Sequence, residues 1–206
     1  MHFNERTIGF RYFPIAVLLL LVPLCVSADE PPQDSTTFRI VAEVGAGYFY
    51  KLNTPKTILG TYTRDGFGGT IRLKWGSSNL IGVGIETGWF PVSSTKNTSY
   101  SSEFGTINLQ ASLHALPLLF IFSIQRYGLQ MHAGIGYYRV TSDATVMGES
   151  MQSSEWDMGI LFALGYAVPV SDNLRIGAEM KWNNISEQQI SVGSLQVRMI
   201  YRLADI

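Results

Sequence analysis

Residues 174–182 read LRIGAEMKW, and this stretch decides which fold the sequence favours. Every second residue, beginning with Leu174, is apolar, so a β-strand through the stretch has one apolar face. The opposite face carries Arg175, Glu179 and Lys181. Such a strand needs an apolar environment on one side and a polar one on the other. The rest of the chain indicates which side is which.

The same alternation recurs along the chain in a series of segments. The predicted strands are 37–50, 67–76, 80–92, 105–124, 129–142, 156–170, 174–184 and 190–203. Short connections at 77–79, 125–128 and 171–173 alternate with longer polar connections at 51–66, 93–104, 143–155 and 185–189. An even number of strands with tight turns on one side and long loops on the other is typical of outer-membrane barrels. We therefore predict an all-β fold, an eight-stranded antiparallel up-and-down transmembrane β-barrel.

The start of the chain has the pattern of a cleaved secretory signal. Arg6 and Arg11 precede a short apolar run at 14–26, and small residues end at Ala28. The run is shorter than the roughly 20 residues of a spanning helix, which argues against an uncleaved anchor. Lipidation at Cys25, the only cysteine, stays open as an alternative to cleavage. The predicted divisions are a signal peptide at 1–28, a polar N-terminal arm at 29–36 and the barrel at 37–206.

The glycines indicate which face of the strands meets lipid. A soluble lipocalin-like barrel would place the apolar faces inside, whereas a membrane barrel places them outside. Glycine weakens a strand and gains nothing on an open wet surface, but inside a narrow barrel it makes room for long charged side chains. The glycines of the polar faces are Gly45, Gly47, Gly68, Gly82, Gly84, Gly88, Gly134, Gly136, Gly159, Gly165 and Gly177. We therefore expect the polar faces to line the lumen.

Outward aromatic residues lie near the ends of the predicted strands, as membrane interfaces require. Tyr48, Tyr50, Trp89, Trp156 and Trp182 lie near the long loops, and Trp75 and Tyr201 lie near the short turns. This distribution predicts two aromatic belts.

Charged side chains inside a narrow barrel must pair with one another. Folding the predicted strands about their connections gives a first network of Glu43, Lys74, Arg72, Glu86 and Gln110. A second set joins Glu179 with Arg198 and Lys181. In this register Glu43 lies opposite Lys74, and Glu86 lies near Gln110. An eight-stranded barrel leaves little free bore, so we favour a plugged lumen over a gated pore.

Two histidines are candidates for a catalytic or metal-binding role. His114 and His132 are both predicted to face the lumen, but about eight residues apart along the barrel, roughly 27 Å at 3.4 Å per residue. They therefore cannot share a metal. Ser112 lies on the same predicted face as His114, which leaves a Ser–His contact open. We predict no catalytic residues, no metal site and no cofactor.

Two segments resemble the small eight-stranded outer-membrane barrels of Gram-negative bacteria, the OmpA-, OmpX- and OmpW-like family. LPLLFIFSIQRYGLQMHAGIGYYRV at 116–140 resembles the middle hairpin of that family, and SVGSLQVRMIYRL at 191–203 resembles its closing strand. The resemblance implies an integral protein of the outer membrane whose partners are outer-membrane lipids, lipopolysaccharide and the barrel-insertion machinery. It further implies a monomer with both chain ends in the periplasm.

Function follows from these features only in outline. The net charge of −1 gives no basic patch, so nucleic acid is not expected as a partner. We predict a structural or surface-recognition role resembling that of an adhesin, with the lumen plugged by ion pairs. The alternatives are a narrow passage for small solutes, a soluble periplasmic lipocalin-like lipid binder, and a lipid A-modifying enzyme.

Overall fold

The computed structural model describes residues 38–53, 65–77, 81–102, 105–146 and 149–205. The predicted signal peptide, the whole predicted polar arm and most of the first predicted long loop lie outside these residues. Eight antiparallel strands close into a barrel in sequence order. They are β1 (Phe38–Lys51), β2 (Asp65–Ser77), β3 (Ile81–Ser102), β4 (Gly105–Arg126), β5 (Leu129–Val146), β6 (Glu149–Pro169), β7 (Leu174–Ile185) and β8 (Ile190–Asp205). The predicted fold class is confirmed.

The barrel is staggered, as closure of a twisted sheet requires. If one starts at Val41 of β1 and moves to the paired residue on each following strand, one full circuit of the barrel returns to β1 at Lys51. The circuit thus ends ten residues further along the same strand. This stagger tilts the strands against the barrel axis. Inward residues of distant strands are thereby brought to one height in the lumen.

The prediction of long loops at 93–104 and 143–155 is wrong, because most of these residues continue the strands. β3 and β4 pair as far as Ser102 and Gly105, and β5 and β6 pair as far as Val146 and Glu149. These segments are polar on both faces, so they lack the apolar alternation from which strands were predicted. We call the end of the barrel that carries these hairpins the long-hairpin end, and the opposite end the short-turn end.

The outer surface of the barrel is apolar. Phe67 is 76% exposed, Val197 65% and Leu195 62%. Of the predicted belt residues, Tyr48, Tyr50, Trp75, Trp89, Trp156 and Tyr201 are exposed, and Trp182 is partly covered by Phe162 at a ring distance of 5.8 Å. Their assignment to two lipid interfaces stays a prediction. No helix among the described residues is long and apolar enough to cross a membrane.

The interior is not polar throughout, which corrects the prediction. Toward the long-hairpin end the rings of Phe49 and Phe90 stack 4.7 Å apart, and both side chains are fully buried. Leu161 and Ile185 belong to the same buried apolar cluster. On the short-turn side of this apolar layer, charged residues fill the lumen. A cavity lies at the short-turn end itself. Mainly apolar side chains therefore occupy the lumen on the side of the long hairpins.

Candidate functional site: the charged lumen

Arg72 is the centre of a buried ion-pair network. The register places Glu43, Arg72 and Glu86 side by side on β1, β2 and β3. The Arg72 guanidinium lies 2.9 Å from the Glu43 carboxylate and 2.5 Å from that of Glu86. Glu179 reaches across the lumen from β7, and its Oε2 lies 3.1 Å from Arg72 Nη1. One guanidinium thus holds three carboxylates, which its five fixed donors permit.

Three further cations complete the network. Lys74 pairs with Glu43, and Lys181 Nζ lies 2.6 Å from Glu86 Oε1. Arg198 Nη1 lies 2.6 Å from Glu179 Oε1, and Arg198 Nη2 lies 3.2 Å from Glu43 Oε2. All of these side chains are almost completely buried. Five strands (β1, β2, β3, β7 and β8) are therefore tied together through the lumen as well as by their backbone hydrogen bonds.

The predicted pairs are present, but the predicted register was wrong by two residues. Glu43 lies opposite Arg72 rather than Lys74, and Arg72 in turn lies opposite Glu86. A shift of two keeps each side chain on its face, so Lys74 still reaches Glu43 diagonally. The two predicted sets form a single network, because Arg72 joins Glu179 and Arg198 joins Glu43.

The prediction that Gln110 approaches Glu86 is wrong. Glu86 lies opposite Leu119, and Gln110 pairs with Thr145 further along β4 toward the long hairpins. The cause is the position of the hairpin, which turns between Ser102 and Gly105 instead of across 93–104. A longer strand moves every partner on β4 by several residues.

Neutral polar residues that the predicted ion-pair sets did not include extend the network. Thr70 Oγ1 donates a hydrogen bond to Gln196 Oε1 over 2.9 Å, and Gln196 Nε2 donates to Ser194 Oγ over 3.1 Å. Lys181 Nζ donates to Thr70 over 3.3 Å. These residues lie on the inner face of their strands, at even spacings from a charged residue of the network. The parity of the strand was the signal that could have found them.

His132 lies beside the network, as its predicted inward orientation requires. Its Nε2 lies 3.5 Å from Glu179 Oε2, and ligand atoms of Glu43, His132 and Glu179 lie within 4.8 Å of one another. Three such groups fit a metal ion by spacing alone. However, four cationic side chains already neutralise the carboxylates, and a divalent ion would add two charges to a buried positive site. We therefore assign His132 to the ion-pair network.

His114 faces outward, which corrects the prediction that it lines the lumen. Its ring stacks on the outward Trp89 at 5.0 Å. The orientation was misread because 115–124 is apolar on both faces, which hides the parity of β4. Leu119 and Ile121 are the buried residues of that run, while Leu118 and Phe120 are exposed. His114 and His132 thus lie on opposite sides of the barrel wall and cannot form one catalytic site.

The comparisons with known proteins agree with this architecture. A family described as "Outer membrane protein beta-barrel domain" matches residues 16–202. The chain belongs to this outer-membrane β-barrel family. Its strands are therefore transmembrane strands of the outer membrane, and the soluble lipocalin-like alternative is wrong, since the exposed apolar residues face lipid.

Several solved structures are similar to the chain at low sequence identity, and the first of those named here has the same fold. A major outer membrane protein from Thermus thermophilus is 11% identical with a TM-score of 0.54, over 81% of this chain and 99% of that chain. Ail, the attachment invasion locus protein of Yersinia pestis, is 10% identical with a TM-score of 0.46, over 81% and 98%. The protease OmpT from Escherichia coli is 9% identical with a TM-score of 0.41, over 85% and 99%. No curated protein matches the chain.

Proposed function

We propose that the protein is a monomeric outer-membrane anchor that presents a four-stranded sheet for recognition at the cell surface. The observation that carries the proposal is the continuation of β3, β4, β5 and β6 beyond the closed barrel. β4 and β5 stay paired as far as Leu109 and Val146, so the two hairpins form one sheet. We place this sheet outside the cell, because long connections of such barrels are extracellular and short turns periplasmic.

The edge of β6 is the surface that we assign to recognition. β6 pairs with β7 only from Gly159 onward, and the turn after β7 adds one further hydrogen bond, from the Ser186 amide to the Met158 carbonyl. Residues 149–156 are exposed on both faces and pair only with β5 among the strands that the structure describes. An unpaired edge offers a row of backbone donors and acceptors to an extended segment of another protein. Glu149 and Glu155 keep this edge from pairing indiscriminately.

Passage of solutes and enzymatic activity receive less support. The lumen holds a continuous ion-pair network below an apolar layer, and both would have to open for conduction. His132 is buried against Glu179, with no hydroxyl hydrogen-bonded to its nitrogens among the described residues. Nucleophilic catalysis requires such a contact. A barrel that anchors, rather than one that conducts or catalyses, agrees with this interior.

Trimming each hairpin separately tests the proposal. In one variant residues 143–152 are replaced by an Asn-Gly turn, which the Ser142–Ser153 pair can close, and residues 149–152 of the β6 edge are removed. In the matched control residues 95–111 are replaced in the same way on the Ser94–Ser112 pair. Folding of both is checked by heat-modifiable migration in detergent.

Adherence of Gram-negative cells that display the protein to immobilised extracellular-matrix proteins is the readout. We expect adherence above that of the non-displaying strain, its loss in the 143–152 variant, and its retention in the control. Equal adherence of the two trimmed proteins would contradict the assignment to the edge of β6. Single-channel steps of the intact protein in planar bilayers would instead favour passage of solutes.

A further inference from the structure

A cavity of about 80 Å³ lies inside the barrel at the short-turn end. It is lined by residues next to the short connections, among them Gly76, Ile81 and Asn173. Lys74 lines it as well and belongs to the ion-pair network through Glu43. The cavity therefore lies between the network and the mouth of the barrel that we expect to face the periplasm.

The lining of this cavity is strongly basic. Arg39, Lys74, Arg175 and Arg202 contribute to it, and Asp172 is the one acidic residue among the lining side chains that the structure describes. Arg202 Nη2 donates to the backbone carbonyl of Asp172 over 2.6 Å, so this contact does not use the carboxylate.

Asp205 lies at the rim of the cavity. Its carboxylate is 3.2 Å from Arg39 Nε and 3.3 Å from Arg202 Nη1, and its side chain is 41% exposed. Each of the three lining arginines is engaged by neighbours. The positive character of the cavity is therefore a property of all its charged side chains together, not of an arginine that lacks a partner.

Positive charge exceeds negative charge in this part of the lumen. The described residues of the network are four cations and three carboxylates. The cavity adds three arginines against the carboxylates of Asp172 and Asp205. Among the described residues, the network and the cavity region together hold seven cations and five carboxylates, an excess of two positive charges. Enclosed charge without a counter-charge is costly, and a bound anion would remove that cost.

We propose that the cavity is a binding site for an oxyanion of the phosphate class that enters from the short-turn side. Several arginine side chains converge on it, and the guanidinium fork matches the oxygens of phosphate better than a spherical halide. The volume of the cavity exceeds the roughly 10–15 Å³ that one water molecule requires, so a group of several atoms fits. The ion-pair network closes the inner end, so the anion enters and leaves by the same mouth.

Titration of the purified full-length barrel with inorganic phosphate tests the site. Phosphate binding is followed by calorimetry, and chloride at matched ionic strength is the reference. We expect saturable binding of phosphate, weakened about tenfold or more by Arg202→Gln, because a charge-assisted hydrogen bond contributes on this scale. Arg202→Lys, which keeps the charge but loses the fork, should have an intermediate effect.

The matched control is Arg139→Gln. Arg139 is an exposed arginine toward the long-hairpin end whose Nη2 donates to Ser154 Oγ, and its loss should leave phosphate binding unchanged. Heat-modifiable migration of each variant shows that a loss of binding is not a loss of folding. Equal responses to phosphate and chloride, or equal affinities of Arg202→Gln and the wild type, would overturn the proposal.

Two further comparisons identify the source of the phosphate group. In nanodiscs of phosphatidylcholine with added phosphatidate, weaker binding of free phosphate than in phosphatidylcholine alone would assign the site to a lipid headgroup, and equal binding would assign it to free phosphate. The acidic residues of 29–36 are removed in a chain that begins at Thr37. If only this shorter chain binds phosphate, the arm's own carboxylates occupy the site, and the proposal is wrong.

Discussion

Replacement of Glu179 by glutamine tests whether the lumen is held together by charge. The Glu179 carboxylate lies 2.6 Å from Arg198, 3.1 Å from Arg72 and 3.5 Å from Lys181. Glu179→Gln keeps the shape of the side chain but removes its charge. The network then holds four cations and two carboxylates instead of four and three. The excess of positive charge in the buried lumen doubles from one to two.

The expected cost follows from these distances. At an effective dielectric constant of about 20, two opposite unit charges about 3 Å apart attract by about 5 kcal/mol. In the variant the remaining cations still bear the free-energy cost of burial, but the attraction of Glu179 no longer offsets it. Breaking a buried pair by removing one partner costs about 3–5 kcal/mol. We expect Glu179→Gln to lower the free energy of unfolding by that amount, measured by tryptophan fluorescence during urea unfolding from lipid vesicles. Glu155→Gln, the same change at an exposed position, should stay within about 0.5 kcal/mol.

A second substitution distinguishes charge from lost packing. Lys181→Met added to Glu179→Gln leaves three cations and two carboxylates, which restores the excess of the wild-type network to one. Glu86 keeps its 2.5 Å contact with Arg72 when Lys181 is replaced. The double variant should therefore be more stable than Glu179→Gln alone by at least about 1 kcal/mol. A double variant as unstable as the sum of the two single changes would refute the electrostatic explanation.

Two further predictions concern the barrel wall and the turn after β7. A Cβ at Gly47 would overlap the Leu195 carbonyl oxygen and lie 2.6 Å from Gln196 Cα. Gly47→Ala should therefore destabilise the β1–β8 seam by about 3 kcal/mol in urea unfolding. Gly193→Ala should be nearly neutral, because the nearest atoms to its Cβ would be those of Leu52, at an ordinary contact distance of 3.6 Å. The hydrogen bond and negative charge of Asp157 raise the pKa of the Glu187 carboxyl, so the stabilising proton is present at low pH and lost as pH rises through that pKa. Hydrogen-exchange protection of the Ser186 amide, which donates to the Met158 carbonyl, should fall over this pH window in the wild type and not in Glu187→Gln; an identical pH dependence in both would contradict the assignment.

Local alternation predicted most of the barrel, because a strand with one face in lipid and one in a polar lumen requires that pattern. It failed where that contrast is absent. The hairpin extensions are polar on both faces, and 115–124 is apolar on both faces. The first case hid the length of β3 and so misplaced Gln110, and the second reversed the side of the wall on which His114 lies.

Contacts across the lumen could not be predicted from the sequence for a different reason. Pairing of adjacent strands follows from the connections, so the contacts of Glu43 with Arg72 and Lys74 could be predicted to within two residues. The contact between Arg72 and Glu179 depends instead on the stagger of the closed barrel, which determines the position of β7 along the barrel axis relative to β2. That stagger is a property of all eight pairings together and cannot be obtained from any one hairpin.

The order of layers along the lumen gives the two ends of the barrel different capacities. At the long-hairpin end Phe49 and Phe90 pack in a buried apolar cluster, so the recognition that we propose there uses the outer surface of the hairpins. At the short-turn end the cavity has a basic lining, on which the proposed anion site rests. The ion-pair network lies between the two ends and ties five strands to one another. Because the network carries an excess positive charge, an anion in the cavity would stabilise the same charges that hold the barrel closed. Anion binding at the short-turn end would thereby stabilise the barrel that carries the sheet at the long-hairpin end.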